Sequence, residues 1–181
     1  MSSTFGVVDL FAGPGGLGEG FASLLEEGHA PYKIGISIEK EVSAHRTLAL
    51  RAFLREFRKR HETLPQQFID YHAGLIPEPD WSTLDDEAWQ IATKEARCLE
   101  LGTDAAADAI DDAIDRLRGD HDDTILIGGP PCQAYSLIGR ARSRGTKGYV
   151  AEDDKRHYLF REYIRVLDKL RPAAFVMENV K

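Results

Sequence analysis

Residues 5–20 read Phe-Gly-Val-Val-Asp-Leu-Phe-Ala-Gly-Pro-Gly-Gly-Leu-Gly-Glu-Gly, and the change of character after Phe11 decides the fold. Phe5 to Phe11 is short, apolar and rich in valine, which predicts a buried strand. The glycines then let the backbone turn at the strand's carboxyl end and enter a helix. Gly13, Gly15 and Gly18 fall in the Gly-x-Gly-x-x-Gly spacing of turns that approach a bound nucleoside cofactor closely. The helix is expected to run to about Leu25 and to end at Gly28. A strand feeding a helix through such a turn is the first unit of an α/β domain with a parallel sheet.

The rest of the chain repeats the alternation. Tyr32 to Ile38 reads as a second strand closing on Glu39, and Val42 to His61 as a helix with Leu48, Ala52, Leu54 and Phe57 on its apolar face. The outer face of that helix carries Arg51, Arg55, Arg58, Lys59 and Arg60, read as a solvated surface. Gln67 to Tyr71 is expected as a weak third strand, Pro77 and Pro79 as a loop, and Asp85 to Leu101 as a helix that includes Cys98 as a small core or half-exposed thiol. Ala105 to Leu117 is a further helix with Ala106, Ala109, Ile110, Ala113, Ile114 and Leu117 as its buried stripe. Thr124 to Ile127, His157 to Leu170 and Ala173 to Met177 read as strand, helix and strand, with a polar loop from Leu137 to Asp153. Right-handed crossovers then predict a mostly parallel sheet in the order 3-2-1-4-5. Glu39 stands where a carboxylate accepts hydrogen bonds from ribose hydroxyls, which leaves NAD and S-adenosylmethionine both open.

Composition narrows the class. The 181 residues suit one domain with a substantial core. The formal charge of −7 argues against nucleic acid wrapped over the whole surface, yet it is unevenly spread. Eight aspartates lie between Asp104 and Asp123, whereas Arg140 to Lys147 holds four basic residues and no acid. Two cysteines and six scattered histidines make neither a disulfide framework nor a metal-ligand spacing. No apolar run reaches the roughly 18 residues of a membrane span, so the expected setting is a reducing cytoplasm.

The segment Thr124-Ile125-Leu126-Ile127 is followed by Gly128-Gly129-Pro130-Pro131-Cys132-Gln133. Two glycines and two prolines stop a strand and hold Cys132 on a stiff turn at the sheet's carboxyl edge, where ligands of open α/β sheets bind. A thiol in that position is a candidate nucleophile.

Together these segments resemble the DNA cytosine-5 methyltransferase family. Asp9-Leu10-Phe11-Ala12-Gly13-Pro14-Gly15-Gly16 is similar to its cofactor motif, and Gly129-Pro130-Pro131-Cys132-Gln133-Ala134-Tyr135-Ser136 to its nucleophile motif. Glu178-Asn179-Val180 is similar to a third landmark, and the three occur in the family's order along almost the whole chain. The resemblance implies a Rossmann-like S-adenosylmethionine-dependent methyltransferase fold of the bacterial restriction-modification kind, with double-stranded DNA as substrate. It implies a cofactor site built from Asp9, Phe11, Ala12, Gly13, Gly15, Gly16, Leu17, Glu39 and Pro130, with Phe11 packed near the cofactor and Glu39 on its ribose. Cytosine C5 is a poor nucleophile, so attack of the Cys132 thiolate on C6 would place electron density at C5. Glu178 would protonate or hydrogen-bond N3, with Asn179 orienting it or the adjacent loop. The stretch from Ser136 to Gly145 resembles the family's mobile loop that closes over an extruded base. Gln133, Ser136, Arg140, Arg142 and Arg144 are then the expected nucleic-acid contacts.

Three departures set further expectations. The family's acid after strand three, which recognises the adenine amino group, is sought near Asp70-Tyr71-His72-Ala73-Gly74, with Asp80 beyond. Pro79 to Asp123 is long and acidic, as an insertion would be. The chain shows no target-recognition domain, so residues 1–181 are expected to be a single catalytic and cofactor-binding fragment. Its sheet would be incomplete on the C-terminal side, to be completed by a second chain or a homo-oligomer. Two alternatives keep the same motifs: a tRNA cytosine-5 methyltransferase, and a non-catalytic cofactor-binding partner or remnant.

Overall fold

The computed structural model describes residues 4–26, 28–130 and 155–178. Strand β1 (Phe5–Leu10) leads to helix α1 (Gly16–Ala22), β2 (Tyr32–Glu39) and α2 (Val42–His61). Then come α3 (Gln66–His72), a 3-10 turn (Trp81–Thr83), α4 (Asp86–Glu95) and β3 (Ala96–Cys98). Helix α5 (Asp104–Asp120), β4 (Asp123–Gly128), α6 (Lys155–Leu170) and β5 (Ala174–Met177) complete the order. The five strands form one sheet in the order β3-β2-β1-β4-β5, with every pairing parallel. Leu10 lies opposite Ile38 on one side and Gly128 on the other, and Gly128 opposite Met177. This register brings the carboxyl ends of four strands to one level.

Strand alternation explains the two layers. Val8, Leu10, Ile36, Ile38 and Leu126 face α5 and α6 and pack with Ile110, Ile114, Leu117, Tyr163, Val166 and Leu170. Val7, Ile34, Ile125 and Ile127 face the other way and pack against Leu17 and Phe21 of α1. Strands covered on both faces need apolar residues at successive positions, which is why their sequences read as continuous runs. At the β5 edge Phe175 is 54% exposed, and Val176 and Met177 are exposed beside it.

The third strand is not where the sequence places it. Gln67 to Tyr71 lies in α3, and β3 occupies Ala96–Cys98, inside the stretch expected to be helical to Leu101. The β-like residues Phe68 and Tyr71 serve a separate aromatic cluster with Phe53, Phe57, Trp81 and Trp89. That cluster stabilises helix there, since its members come from α2, the 3-10 turn and α4. Cys98 accordingly sits on an edge strand, exposed, and not in a helix. Helix α1 also stops at Ala22, short of Leu25. Gly28, with φ 83°, belongs to the turn joining Glu26 and His29 and does not end that helix.

The basic face of α2 is largely closed by ion pairs within the molecule. Arg46 pairs with Glu78, Arg55 with Glu19 and Glu95, Lys59 with Glu56, and Arg60 with Asp85 and Glu87. Asp85 also caps α4 by accepting the Ala88 N–H at 3.0 Å, a bond that with His61 and Arg60 draws its carboxyl down to about 2. Asp85→Ala is expected to lower stability by about 1 kcal/mol, the usual value of an N-cap. Urea unfolding measures this, and an unchanged midpoint would show that the cap contributes nothing.

Candidate functional site

The carboxyl edge of the sheet is built around the turn after β1. The chain leaves Leu10 through Phe11 (φ 58°) and Gly13 (φ 56°) before Gly15 (φ 86°) caps α1. A left-handed conformation costs a residue such as Phe11 roughly 1–2 kcal/mol. Two contacts hold it: the next residue, Ala12, donates its N–H to Ile38 O at 3.0 Å, and the Phe11 ring packs on the α5-side core. The positive φ favours glycine at Gly15, and a Cβ there would also press on the tip of Leu48, 2.7 Å from Cδ1. At Gly13 and Gly16 a Cβ would meet nothing within 4 Å among the described residues. The loop therefore turns its bare backbone toward open space.

Glu39 ties that loop to the neighbouring crossover. Gly13 N–H donates to Oε2 at 2.9 Å, and Glu41 N–H donates to Oε1 at 2.7 Å. A carboxylate offers about four acceptor sites, so both oxygens keep capacity for further donors.

On the other side of β1, the end of β4 is shaped by its neighbours. A Cβ on Gly128 would lie 2.1 Å from Leu10 O, and one on Gly129 would lie 2.9 Å from Glu178 Cγ. The Glu178 N–H donates to Gly128 O at 3.0 Å. The two glycines are thus required by β1 on one flank and by the residue after β5 on the other. Glu178 sits against the turn whose next residues are Pro130, Pro131 and Cys132.

Beneath these groups lies Asp9. Its side chain is on the α1 face of β1 and only 1% exposed, and neither carboxylate oxygen has a hydrogen-bond partner among the described residues. Gly18 packs directly on it, a Cβ there falling 2.9 Å from Oδ2. Burial, reinforced by Glu178, Glu95 and Glu39, pushes the carboxyl up to about 8. Burial and Asp9 together push the nearby Tyr163 hydroxyl up to about 12.

The structure therefore gathers Asp9, Phe11, Gly13, Gly15, Gly16, Glu39, Pro130 and Glu178 at one edge. Ala12 packs toward Leu48, Ala49 and Ala96, and Leu17 turns into the core beneath α1, so neither directs its side chain at the open side of the loop. Cys132, Gln133, Ser136, Arg140, Arg142, Arg144 and Asn179 lie outside the described residues. Among the described residues no group of His, Cys, Asp and Glu is arranged to hold a metal ion, and no helix is long and apolar enough to cross a membrane. A cavity of about 550 Å³ lies at the opposite end of β2, lined by Tyr32, Lys33, Arg55 and Leu117 among others, away from this edge.

The acid sought after strand three is relocated by the true position of β3. Asp70 accepts a hydrogen bond from Gln66, and Asp80 caps the 3-10 turn through Ser82, so both serve local structure. The residues that follow β3 are Leu99, whose N–H donates to Glu39 O, and Glu100, which pairs with Lys40 at 3.3 Å. Glu100 is the first acid after β3, and a strand without β-branched residues or alternation gives no cue to its place.

A parallel sheet in this order, with a glycine turn after the central strand and a strand-terminal carboxylate beside it, defines a Rossmann-like α/β domain of the methyltransferase type. The chain belongs to a particular family of that class: residues 84–181 match the C-5 cytosine-specific DNA methylase family. It is 33% identical over 194 residues to the Type II methyltransferase M.Bpa9945I of Bacillus paralicheniformis, covering 96% of this chain and 40% of that protein. It is 40% identical over 79 residues to M.XorII of Xanthomonas oryzae pv. oryzae, covering 42% of this chain and 16% of that protein. Over 95 residues it is 34% identical to M.Sau96I of Staphylococcus aureus, covering 52% and 19% respectively. The chain thus spans less than half the length of each of these relatives.

Proposed function

We propose that this chain carries the chemistry for transferring a methyl group from S-adenosylmethionine to C5 of cytosine in double-stranded DNA, as part of a bacterial, cytoplasmic restriction-modification system. One observation carries the reading: Glu39, the open glycine turn and Glu178 converge on the edge from which the Cys132 segment departs. The bare backbone at Gly13 and Gly16, and a buried carboxyl group without a partner beneath it, fit a polar cofactor that brings positive charge.

When bound, S-adenosylmethionine supplies an activated methyl group on a sulfonium. The chain's own residues do the rest. Glu39 holds the loop and accepts the ribose hydroxyls. Glu100 stands past β3 to accept from the adenine amino group. The Cys132 thiolate bonds to C6, Glu178 stabilises the charge that develops at N3, and the arginines at 140, 142 and 144 meet the phosphates. After transfer a base takes the C5 proton, and the C6–sulfur bond breaks to restore the thiolate.

The test is a DNA duplex containing 5-fluorocytosine. Fluorine cannot leave as a proton does, so a stable protein–DNA adduct is expected at Cys132. An adduct on Cys98, or one that persists in Cys132→Ala, would overturn the assignment. Duplex DNA and tRNA offered side by side separate the DNA reading from a tRNA methyltransferase.

For the cofactor site, Glu39→Ala is expected to weaken S-adenosylmethionine binding by roughly 1.5–3 kcal/mol, the range for hydrogen bonds to a charged group. Calorimetric titration reads it, and unchanged affinity would remove Glu39 from the site. Glu100→Ala is expected to weaken binding of the natural cofactor but not of an analogue lacking the adenine amino group. Equal losses for both would exclude that contact.

A further inference from the structure

We infer that Asp9 is a proton carrier in cofactor binding: its carboxyl group is neutral in the free protein and gives up a proton when the positively charged cofactor binds, so that the site favours the sulfonium over the neutral thioether left by methyl transfer. This rests on the cofactor reading above and adds to it the device by which the site tells substrate from product.

The geometry leads. Asp9 is two residues before the turn at Phe11, on the α1 face of the central strand, and its two oxygens meet no donor among the described residues. Gly18 faces it so closely that a Cβ there would stand 2.9 Å from Oδ2, so that side offers little space for the group to turn toward a new partner. The charged and titratable groups around it come from every neighbouring element. Glu39 ends β2, Glu95 ends α4, Glu178 follows β5, and Tyr163 projects from α6. Arg55 of α2 is committed to Glu95 and to Glu19 of α1, the Glu95 contact being 2.6 Å. Ionising Asp9 in this setting puts a fourth carboxylate charge beside three others without a hydrogen bond, which is why it holds its proton near neutral pH.

A ligand that brings positive charge to this edge reverses the local balance, because an opposite charge nearby favours the ionised carboxyl group. Methyl transfer removes that charge by turning the sulfonium into a sulfide. The proton balance is simple: one proton passes from Asp9 to solvent as the cationic cofactor binds, and one returns from solvent when the neutral product takes its place. The methyl group has no part in it.

The sign follows from linkage. Binding that releases a proton strengthens as pH rises, by up to about tenfold per pH unit while Asp9 is protonated in the free protein. It levels off above the pH at which free Asp9 ionises. The neutral product gains less, so the ratio of the two affinities also rises with pH.

Calorimetric titration in two buffers of different ionisation enthalpy counts the protons released, without reference to turnover. With the protein at pH 7, S-adenosylmethionine is expected to release close to one proton and S-adenosylhomocysteine distinctly fewer. Asp9→Asn is expected to bind both ligands with no difference in release, and with an affinity ratio that is flat between pH 6 and 8. Equal release for the two ligands in the unaltered protein, or a difference in release between them that persists in Asp9→Asn, would overturn the proposal while leaving the cofactor reading intact. Failure of either ligand to bind would overturn the cofactor reading and the proposal with it. The comparison of ligands on the unaltered protein stands even if the variant does not fold.

Discussion

Replacing Asp9 by asparagine is expected to stabilise the fold, with a gain that grows from pH 4 to pH 8. The folded-state carboxyl sits at about 8 against an ordinary value of 3.8, so between those values the native protein holds a proton that the unfolded chain has lost. Stability therefore falls as pH rises through that window, and above it the full cost of a buried charge is present. At about 1.4 kcal/mol per pH unit the whole interval corresponds to roughly 6 kcal/mol. That is a large share of a typical domain's stability of about 5–15 kcal/mol. Asparagine keeps the shape and removes the ionisation. Denaturant unfolding of both proteins at a series of pH values should give curves that coincide near pH 4 and separate steadily above it. Parallel curves would show that Asp9 does not titrate in this interval.

The second large effect is on turnover. In any preparation that methylates DNA, Cys132→Ala is expected to abolish methyl transfer while leaving cofactor affinity essentially unchanged, because on the proposed mechanism it removes the nucleophile and not the pocket. Glu178→Gln is expected to lower the rate by roughly 100- to 10,000-fold, the usual range for a lost general acid. The bond from the Glu178 N–H to Gly128 O is a backbone bond that does not involve the side chain, so the expected loss is chemical and not a misplacement of the strand end. Glu178 is also the first of the three carboxylates that raise Asp9. The same substitution should therefore move the pH dependence of cofactor binding to lower pH. Tritiated methyl transfer reads the first effect and calorimetry the second. A Glu178→Gln protein of normal rate would remove that residue from catalysis.

Much of the architecture could be read from residues alone because its elements carry clear punctuation. The β1 turn is marked by glycines, the end of β4 by Gly-Gly-Pro-Pro, and the end of α6 by Arg171-Pro172. Strand β3 has no such mark. It follows α4 without an intervening turn, and Ala-Arg-Cys has neither β-branched residues nor alternation. The segment that does look like a strand, with Phe68, Ile69 and Tyr71, is held as helix by the aromatic cluster around Trp81, a tertiary contact that no local pattern reveals. The site was legible where a motif supplies its parts. The isolation of Asp9 was not, although a lone acid inside an apolar strand was visible in the sequence. Its lack of partners is a property of packing, set by Gly18 and by carboxylates that arrive from three other elements.

The closed ion pairs along α2 change what ionic strength should do to this protein. A protein that neutralises phosphates loses DNA affinity steeply with salt, each contact adding about 0.9 to the slope of log K against log salt concentration. On α2 the guanidinium and ammonium groups of Arg46, Arg55, Lys59 and Arg60 already face carboxylates, which leaves Arg51 and Arg58 outside these pairs. Counterions will therefore compete with Glu78, Asp85 and Glu87 for the exposed members of the helix before they compete with a phosphate. Added salt should loosen the attachment of the α4 segment to α2. On the proposed function, any steep salt slope in DNA binding should be carried by the arginines at 140, 142 and 144 together with Arg51 and Arg58.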